Sequence, residues 1–107
     1  MLGKIVTVTV DRPLGSYHPD YPDLYYPVNY GYIEGTVAGD GEEIDAYVLG
    51  IDTLVSELRG RVVAIIHRKN DTEDKLVVAP DNIKLTEKEI LDRTFFQERY
   101  FDIEIII

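Results

Sequence analysis

The chain has 107 residues and no cysteine, so it fits a single domain, residues 1–107, without disulfides or thiolate metal sites. Its net charge of −9 argues against nucleic acids and anionic membranes as partners, because both are negatively charged themselves. Apolar residues make up 45%, but no apolar run has the about 18 residues of a membrane span and the N-terminus does not resemble a signal peptide, so we expect a folded cytoplasmic protein.

The first half of the chain predicts three strands and a long loop. Lys4–Asp11 alternates between two faces, which is typical of a strand. Arg12–Asp23 holds three of the five prolines and predicts an irregular loop. Tyr25–Val37 is aromatic and β-branched, and Ile44–Leu49 is short and apolar, so both predict strands.

Two apolar strands and an apolar terminus dominate the second half. Arg61–Arg68 is strongly apolar, and Lys75–Ala79 is bounded by Pro80, so both predict strands. Phe101–Ile107 alternates and then becomes wholly apolar. This last segment predicts a strand that either completes the sheet or pairs with a second copy of the chain, so homo-oligomerisation is one expectation.

One helix is predicted before that terminus, at Leu85–Tyr100. Thr86 and Glu89 have the spacing of a capping box. Apolar side chains follow at helical spacing, at Ile90, Leu91, Phe95 and Phe96. Five or six strands and one helix near the C-terminus predict a mainly β fold, a small, partly closed barrel with the helix packed on it.

Four carboxylates lie within six positions between two predicted strands: Asp40, Glu42, Glu43 and Asp45. One interpretation is a polar turn that points its charges into water. The other is a cation site, because like charges repel unless a cation neutralises them and clustered hard oxygens suit Mg²⁺, Mn²⁺ or Ca²⁺. A second charged cluster, Asp71, Glu73, Asp74 and Lys75, also lies between two strands. By itself it predicts an ordinary charged turn. Together with the first cluster it predicts a metal site for the hydrolysis of phosphoryl groups.

Tyrosines mark a third feature of the chain. The stretch YYPVNYGYIEG would place Tyr26, Tyr30 and Tyr32 on one face of a regular strand. Phenol groups donate hydrogen bonds to phosphate oxygens without adding charge. Aromatic packing in the core is the alternative for each of them.

Several segments in the same order resemble the family I soluble inorganic pyrophosphatases. YPVNYGYIEGT followed by GDGEEIDAYVLG is similar to that family's tyrosine-rich strand and its D-G-D-P-hydrophobic-D signature, which stands here as Asp40–Asp45. EDKLVVAP resembles the family's next acidic stretch, and FFQERY resembles the helix segment that carries a phosphate-binding tyrosine. The resemblance extends from about Tyr25 to Tyr100.

This resemblance implies an OB-like barrel that hydrolyses pyrophosphate, or a similar small phosphoanhydride, to two phosphates with Mg²⁺, Mn²⁺ being the second ion to consider. It implies metal ligands at Asp40, Asp45, Asp71 and Asp74. Glu42 matches the aspartate that orients and deprotonates water, so we expect Glu42, with Asp40 and Asp45, to be catalytic and also to bind metal. The expected substrate-binding residues are Tyr26, Tyr30, Lys75, Tyr100 and Arg12.

The chain also departs from the family pattern. It is a short variant in which Arg12–Asp23 replaces the hairpin that supplies a lysine and an arginine to the phosphates, and Phe101 replaces another lysine. Arg12, His18 and Arg99 are the candidate substitutes. Two alternatives to a pyrophosphatase therefore stay open: a metal-dependent phosphohydrolase of another phosphoanhydride, such as a nucleotide, and a degenerate module that only binds a phosphorylated ligand.

Overall fold

The computed structural model describes all 107 residues, which form six strands and one helix. In chain order these are β1 (Ile5–Arg12), β2 (Asn29–Ile33), β3 (Ile44–Val48), β4 (Glu57–Arg68), β5 (Asp74–Ala79), α1 (Glu87–Glu98) and β6 (Ile103–Ile106). No helix of the chain combines the length and the hydropathy that a membrane crossing requires.

The sheet closes on itself to form a five-stranded barrel. Its strand order is β1-β2-β3-β5-β4, and β1 pairs with β4 as well as with β2, which closes the barrel. β6 adds a sixth strand outside the ring, antiparallel to β4. Only β3 and β5 pair in parallel. The predicted mainly β, OB-like barrel with one packed helix is confirmed, and closure is complete rather than partial.

The bounds of two predicted strands were wrong, and one of them, Tyr25–Val37, is shorter at both ends because β2 is only Asn29–Ile33. β4 begins at Glu57 rather than at Arg61, because Glu57–Gly60 pairs with β1 although its sequence is not apolar. β2 begins only at Asn29, because Pro27 has no backbone N–H to donate and Tyr25 makes just an isolated bridge to Tyr17.

Apolar side chains form two clusters on opposite faces of the sheet. The inner cluster fills the barrel with side chains from all five of its strands: Val8, Ile33, Ala46, Val48, Val62, Leu76 and Val78. The outer cluster lies between the sheet and α1 and includes Tyr26, Tyr30, Tyr47, Ala64, Ile66, Val77 and Ile90. A β-bulge between Val62 and Ala64 shifts the alternation of β4, so that its C-terminal half faces the outer cluster.

The buried face of α1 differs from the predicted one. The capping box of Thr86 and Glu89 is present, and Ile90 is fully buried. Leu91 and Phe95, however, are 39% and 53% exposed, whereas the buried residues of the helix are Ile90, Thr94, Gln97 and Glu98. The prediction that Leu91 and Phe95 pack on the barrel was wrong, because polar partners on the sheet bury the polar side of the helix instead.

Candidate functional site

The two acidic loops meet because the strands that follow them are parallel neighbours. β3 and β5 pair in parallel, so the segments that precede them lie at the same edge of the sheet. The segments also touch: a Cβ built on Gly39 would lie 2.0 Å from the carbonyl oxygen of Thr72. The structure therefore brings the two charged clusters together on the outer face of the barrel, next to α1.

Lys75 lies at the centre of this acidic site. Its ammonium is almost fully buried and donates to Asp45 Oδ2 over 2.7 Å and to the carboxylate of Glu73. The Tyr30 hydroxyl donates to the same Asp45 oxygen over 3.0 Å. Burial and the charge of Asp45 hold the pKa of Tyr30 well above its usual range, so Tyr30 is a neutral hydrogen-bond donor.

Asp40 and Glu73 form a close pair of carboxyl groups at the outer edge of the site. A hydrogen bond with Glu73 and the backbone N–H of Glu42 lower the pKa of Asp40. Burial and the hydrogen bond with Asp40 raise the pKa of Glu73. Two neighbouring carboxyl groups mark a place where a second positive charge is favourable.

The acidic site has the donor chemistry of a hard-cation site but not a ready-made metal centre. Asp40, Asp45 and Glu73 supply the oxygen donors that Mg²⁺ prefers. No three acidic or histidine side chains converge on a common point, because the Lys75 ammonium lies between Asp45 and Glu73. A metal ion would compete with that ammonium for the same carboxylates.

The remaining predicted acidic residues make no hydrogen bond to Lys75. Asp74 points to the opposite face of β5 from Lys75 and contacts His67 Nδ1 at 2.7 Å. Asp71 lies 3.5 Å from the Arg68 guanidinium and accepts the Thr72 backbone N–H. Glu42 is exposed, and its backbone N–H donates to Oδ1 of Asp40, two residues before it.

Glu73 was named in the second charged cluster but not among the expected metal ligands. It contacts both Lys75 and Asp40, whereas neighbouring Asp74 does not. The strand period of two offered a signal, because residues 73 and 75 share a face and residue 74 lies on the other.

Arg12 lies beside the tyrosines of the site. Its NH1 donates to the Tyr26 hydroxyl over 3.0 Å, and its guanidinium carbon lies 5.8 Å and 5.9 Å from the ring centres of Tyr26 and Tyr30. Tyr26 itself is fully buried, and its hydroxyl also donates to Gln97, so its substrate-binding role stays a prediction. His18 lies in the loop between β1 and β2. Arg99 lies at the end of α1, over the rings of Phe95 and Tyr100.

A buried chain of hydrogen bonds holds α1 against the sheet. The Tyr26 hydroxyl donates to Gln97 Oε1, Gln97 Nε2 donates to the Tyr47 hydroxyl, and that hydroxyl donates to Glu98 Oε2. Arg68 closes the chain with two hydrogen bonds to Glu98. Sequence reasoning did not identify Arg68, Gln97 or Glu98 as site residues. The only indication for the two helix residues was that they lie seven and eight positions after Ile90, on the same face of the helix.

Tyr100, at the end of α1, lies across a cavity from the proline-rich loop. The cavity has a volume of about 680 Å³, and Tyr30 and Arg68 line it together with Tyr100. The Tyr100 side chain is 68% exposed. Tyr100 is therefore placed where it could contact a bound molecule that extends from the acidic site.

Comparisons with known proteins agree on one family. A family model described as inorganic pyrophosphatase matches residues 4–102. The inorganic pyrophosphatase of Gluconobacter oxydans is 30% identical over 95% of this chain and 70% of its own length. That of Pseudomonas aeruginosa is 29% identical over 76% of this chain, and the match spans about half (55%) of that relative.

Solved structures show the same fold. A crystal structure of the inorganic pyrophosphatase from Ehrlichia chaffeensis matches 97% of this chain and 85% of its own with a TM-score of 0.71 and 22% identity. One from Neisseria gonorrhoeae matches 92% of this chain and 74% of its own with a TM-score of 0.65 and 22% identity.

Proposed function

Because this chain belongs to the inorganic pyrophosphatase family, we propose that it hydrolyses pyrophosphate to two phosphates. The observation that carries the proposal is the acidic site itself, in which Lys75 and Tyr30 both donate to Asp45 while Asp40 and Glu73 share a hydrogen bond beside them. The carboxylates offer negative charge to a metal ion, and the buried ammonium offers positive charge to the phosphate that the ion binds.

The proposed cofactor is Mg²⁺, with Mn²⁺ as the second ion. Asp40, Asp45 and Glu73 would hold it, and Glu42, Asp71 and Asp74 remain predicted ligands. When bound, such an ion neutralises phosphate charge and lowers the pKa of coordinated water.

Residues of the chain have separate proposed roles toward the substrate. Lys75 and Arg12 supply positive charge to phosphate oxygens. Tyr100 donates a hydrogen bond without charge, and Tyr30 does so when its one O–H proton turns from Asp45 to the phosphate. Tyr30 suits this role because its raised pKa keeps its proton in place. Glu42 is the proposed base for the attacking water. The water oxygen bonds to one phosphorus atom, and the bridging oxygen leaves with the other phosphate.

Phosphate release from pyrophosphate tests the proposal. We expect the natural chain to release phosphate with Mg²⁺ or Mn²⁺ and to stop when EDTA removes the ion. Release that continues unchanged in EDTA would contradict the metal dependence, and no release with either ion would contradict the proposed substrate. A cytoplasmic location and homo-oligomerisation remain predictions from the sequence.

A further inference from the structure

The cavity beside the acidic site is larger than pyrophosphate alone requires. Its volume is about 680 Å³, which is in the range of sites that hold whole organic ligands. Tyr30 belongs to both the acidic site and the cavity, because its hydroxyl donates to Asp45 and the residue also lines the cavity. Tyr30 therefore places the acidic site and this space side by side.

The walls of the cavity suit a planar ring. Tyr21, from the proline-rich loop, and Tyr100, from the end of α1, line it from two different elements and are 65% and 68% exposed. The His18 ring packs 4.8 Å from the Tyr21 ring, and Phe101 adds a further aromatic wall. Tyr21 is the accessible ring that has no proposed role toward the phosphates, and an accessible aromatic ring is a common platform for stacking a base.

The charges of the cavity do not suit a further phosphate. Arg68 is its only arginine or lysine, and two of its hydrogen bonds go to the buried Glu98 carboxylate. His18 accepts the Asp20 backbone N–H at Nδ1, and burial and Arg12 lower its pKa, so the ring is neutral. Asp20 and Asp23 add negative charge to the same wall. A neutral group with N–H and O–H donors is the better match.

We propose that this cavity binds the base and ribose of a nucleoside diphosphate, whose two phosphoryl groups occupy the acidic site. A nucleoside diphosphate is pyrophosphate with one terminal oxygen esterified, so it presents the same phosphoanhydride and adds a ring. The inference rests on the proposed function, because it requires the acidic site to bind a phosphoanhydride.

The same hydrolysis then applies to such a ligand. With ADP, the water oxygen bonds to the terminal phosphorus and the bridging P–O bond breaks. AMP leaves with the bridging oxygen, inorganic phosphate forms, and one proton is released. No oxidant or further reactant is needed.

Paired ligands and paired variants test the proposal in buffer containing Mg²⁺. Dissociation constants for ADP and for methyl diphosphate, which has the same phosphates but no ring, are measured by calorimetry, each ligand as its α,β-methylene analogue so that it is not hydrolysed during the titration. We expect the natural chain to bind ADP about ten-fold more tightly, since stacking one base is worth roughly that factor. Tyr21→Ala should bring the ratio close to one. Tyr17→Ala, at an exposed tyrosine of the same loop that packs on Tyr25 and not in the cavity, should keep it.

Phosphate release from pyrophosphate by the same preparations separates this inference from the proposed function. Pyrophosphate turnover with equal affinity for both ligands would overturn the cavity proposal and leave the pyrophosphatase intact. An equal loss of ADP affinity in both variants would also overturn it. A ring-dependent affinity that only Tyr21→Ala removes would support the cavity even if pyrophosphate were not hydrolysed.

Discussion

At the scale of single residues, Lys75 is the group that organises the acidic site. A buried ammonium is costly to remove from water unless acids pair with it, and here Asp45 and Glu73 both do. The pairing also lowers the repulsion between the carboxylates, which would otherwise oppose their approach. Each member of the site therefore depends on the others.

Replacing Glu73 should affect turnover more than replacing its neighbour. Glu73→Gln removes a charge that contacts Lys75 and Asp40, so we expect pyrophosphate turnover to fall by about 100-fold. Asp74→Asn makes the same chemical change one position away, where the side chain contacts His67. Steady-state phosphate release by both variants measures the contrast. A larger loss in Asp74→Asn would return the metal-ligand role to Asp74.

Tyr47 predicts an alkaline dependence of stability. Burial, the charge of Glu98 and the ring of Tyr30 hold the pKa of Tyr47 well above its usual value of about 10, with Gln97 acting in the other direction. Above pH 10 the unfolded chain loses the proton and the folded chain keeps it, so this residue's contribution to the free energy of unfolding falls by about 1.4 kcal/mol per pH unit. Below that pH its contribution is fully present.

Urea unfolding of Tyr47→Phe from pH 8 to pH 11 tests this dependence. The variant is expected to be less stable at pH 8 by roughly 1–3 kcal/mol, since Glu98 and Gln97 lose a buried partner. The difference from the natural chain should shrink as the pH rises. Tyr17→Phe makes the same substitution at an exposed tyrosine. A Tyr47→Phe difference that stays constant across this range would be inconsistent with the buried network.

Where a motif fixed the spacing, residues that the sequence predicted as one site do lie together. Asp40, Asp45, Lys75 and Tyr30 were all predicted, and the structure brings them together. Glu73 was not among the expected metal ligands because the sequence did not show which residue starts the alternation of β5. Arg68 and Glu98 were missed because each looks like a surface residue until the partner 30 positions away is known.

At the scale of elements, the parallel pairing of β3 and β5 determines where the acidic site forms. Every other pair in the barrel is antiparallel, so this is the one place where two loops that precede neighbouring strands lie side by side. The sequence predicted both strands but gave no information about their pairing. Whether the two acidic loops face each other is therefore a property of topology and not of either segment.

The two acidic loops touch at Gly39, where there is no room for a side chain. An alanine there would place its Cβ 2.0 Å from the Thr72 carbonyl oxygen, so one loop has to move. A displacement of about 1 Å is enough to cost roughly 100-fold in rate, which is the loss we expect in pyrophosphate turnover by Gly39→Ala. Val37→Ala, which truncates an exposed side chain of the same loop, is the control. Full activity of Gly39→Ala would mean that the contact between the loops is not needed.

The helix shows why its face was difficult to predict from sequence. Hydrophobic spacing predicted that Leu91 and Phe95 face the barrel. The hydroxyls of Tyr26 and Tyr47 instead form hydrogen bonds with Gln97 and Glu98 of α1. A buried polar face depends on partners that lie far away in sequence. The position of the helix was predictable from its capping box, and its rotation was not.

At the scale of the whole molecule, the net charge of −9 favours small cations over anionic ligands. A pyrophosphate ion approaching this surface is repelled unless bound metal and the few basic groups of the site offset the charge. The same negative charge opposes compaction, so a divalent ion bound among the carboxylates should stabilise the fold as well as serve the reaction.

Mg²⁺ should therefore raise the stability of the folded chain. Binding only to the folded state adds about 2.7 kcal/mol to the free energy of unfolding at 100 times the dissociation constant. Urea unfolding in MgCl₂, compared with NaCl at the same ionic strength, measures this gain. Asp40→Asn in the Asp45→Asn background removes two of the proposed donors and should lose most of it. An equal gain in the double variant would place the ion elsewhere.

The most direct test of the acidic site is phosphate release from pyrophosphate by Asp45→Asn in Mg²⁺. Asp45 accepts hydrogen bonds from both Lys75 and Tyr30 at one oxygen, so its neutral amide cannot hold the same charges. We predict turnover at least about 100-fold below that of the natural chain, while Asp52→Asn, at an exposed carboxylate that contacts Arg93 and not the acidic site, stays at the natural rate. Turnover by Asp45→Asn at the natural rate would contradict the assignment of this site.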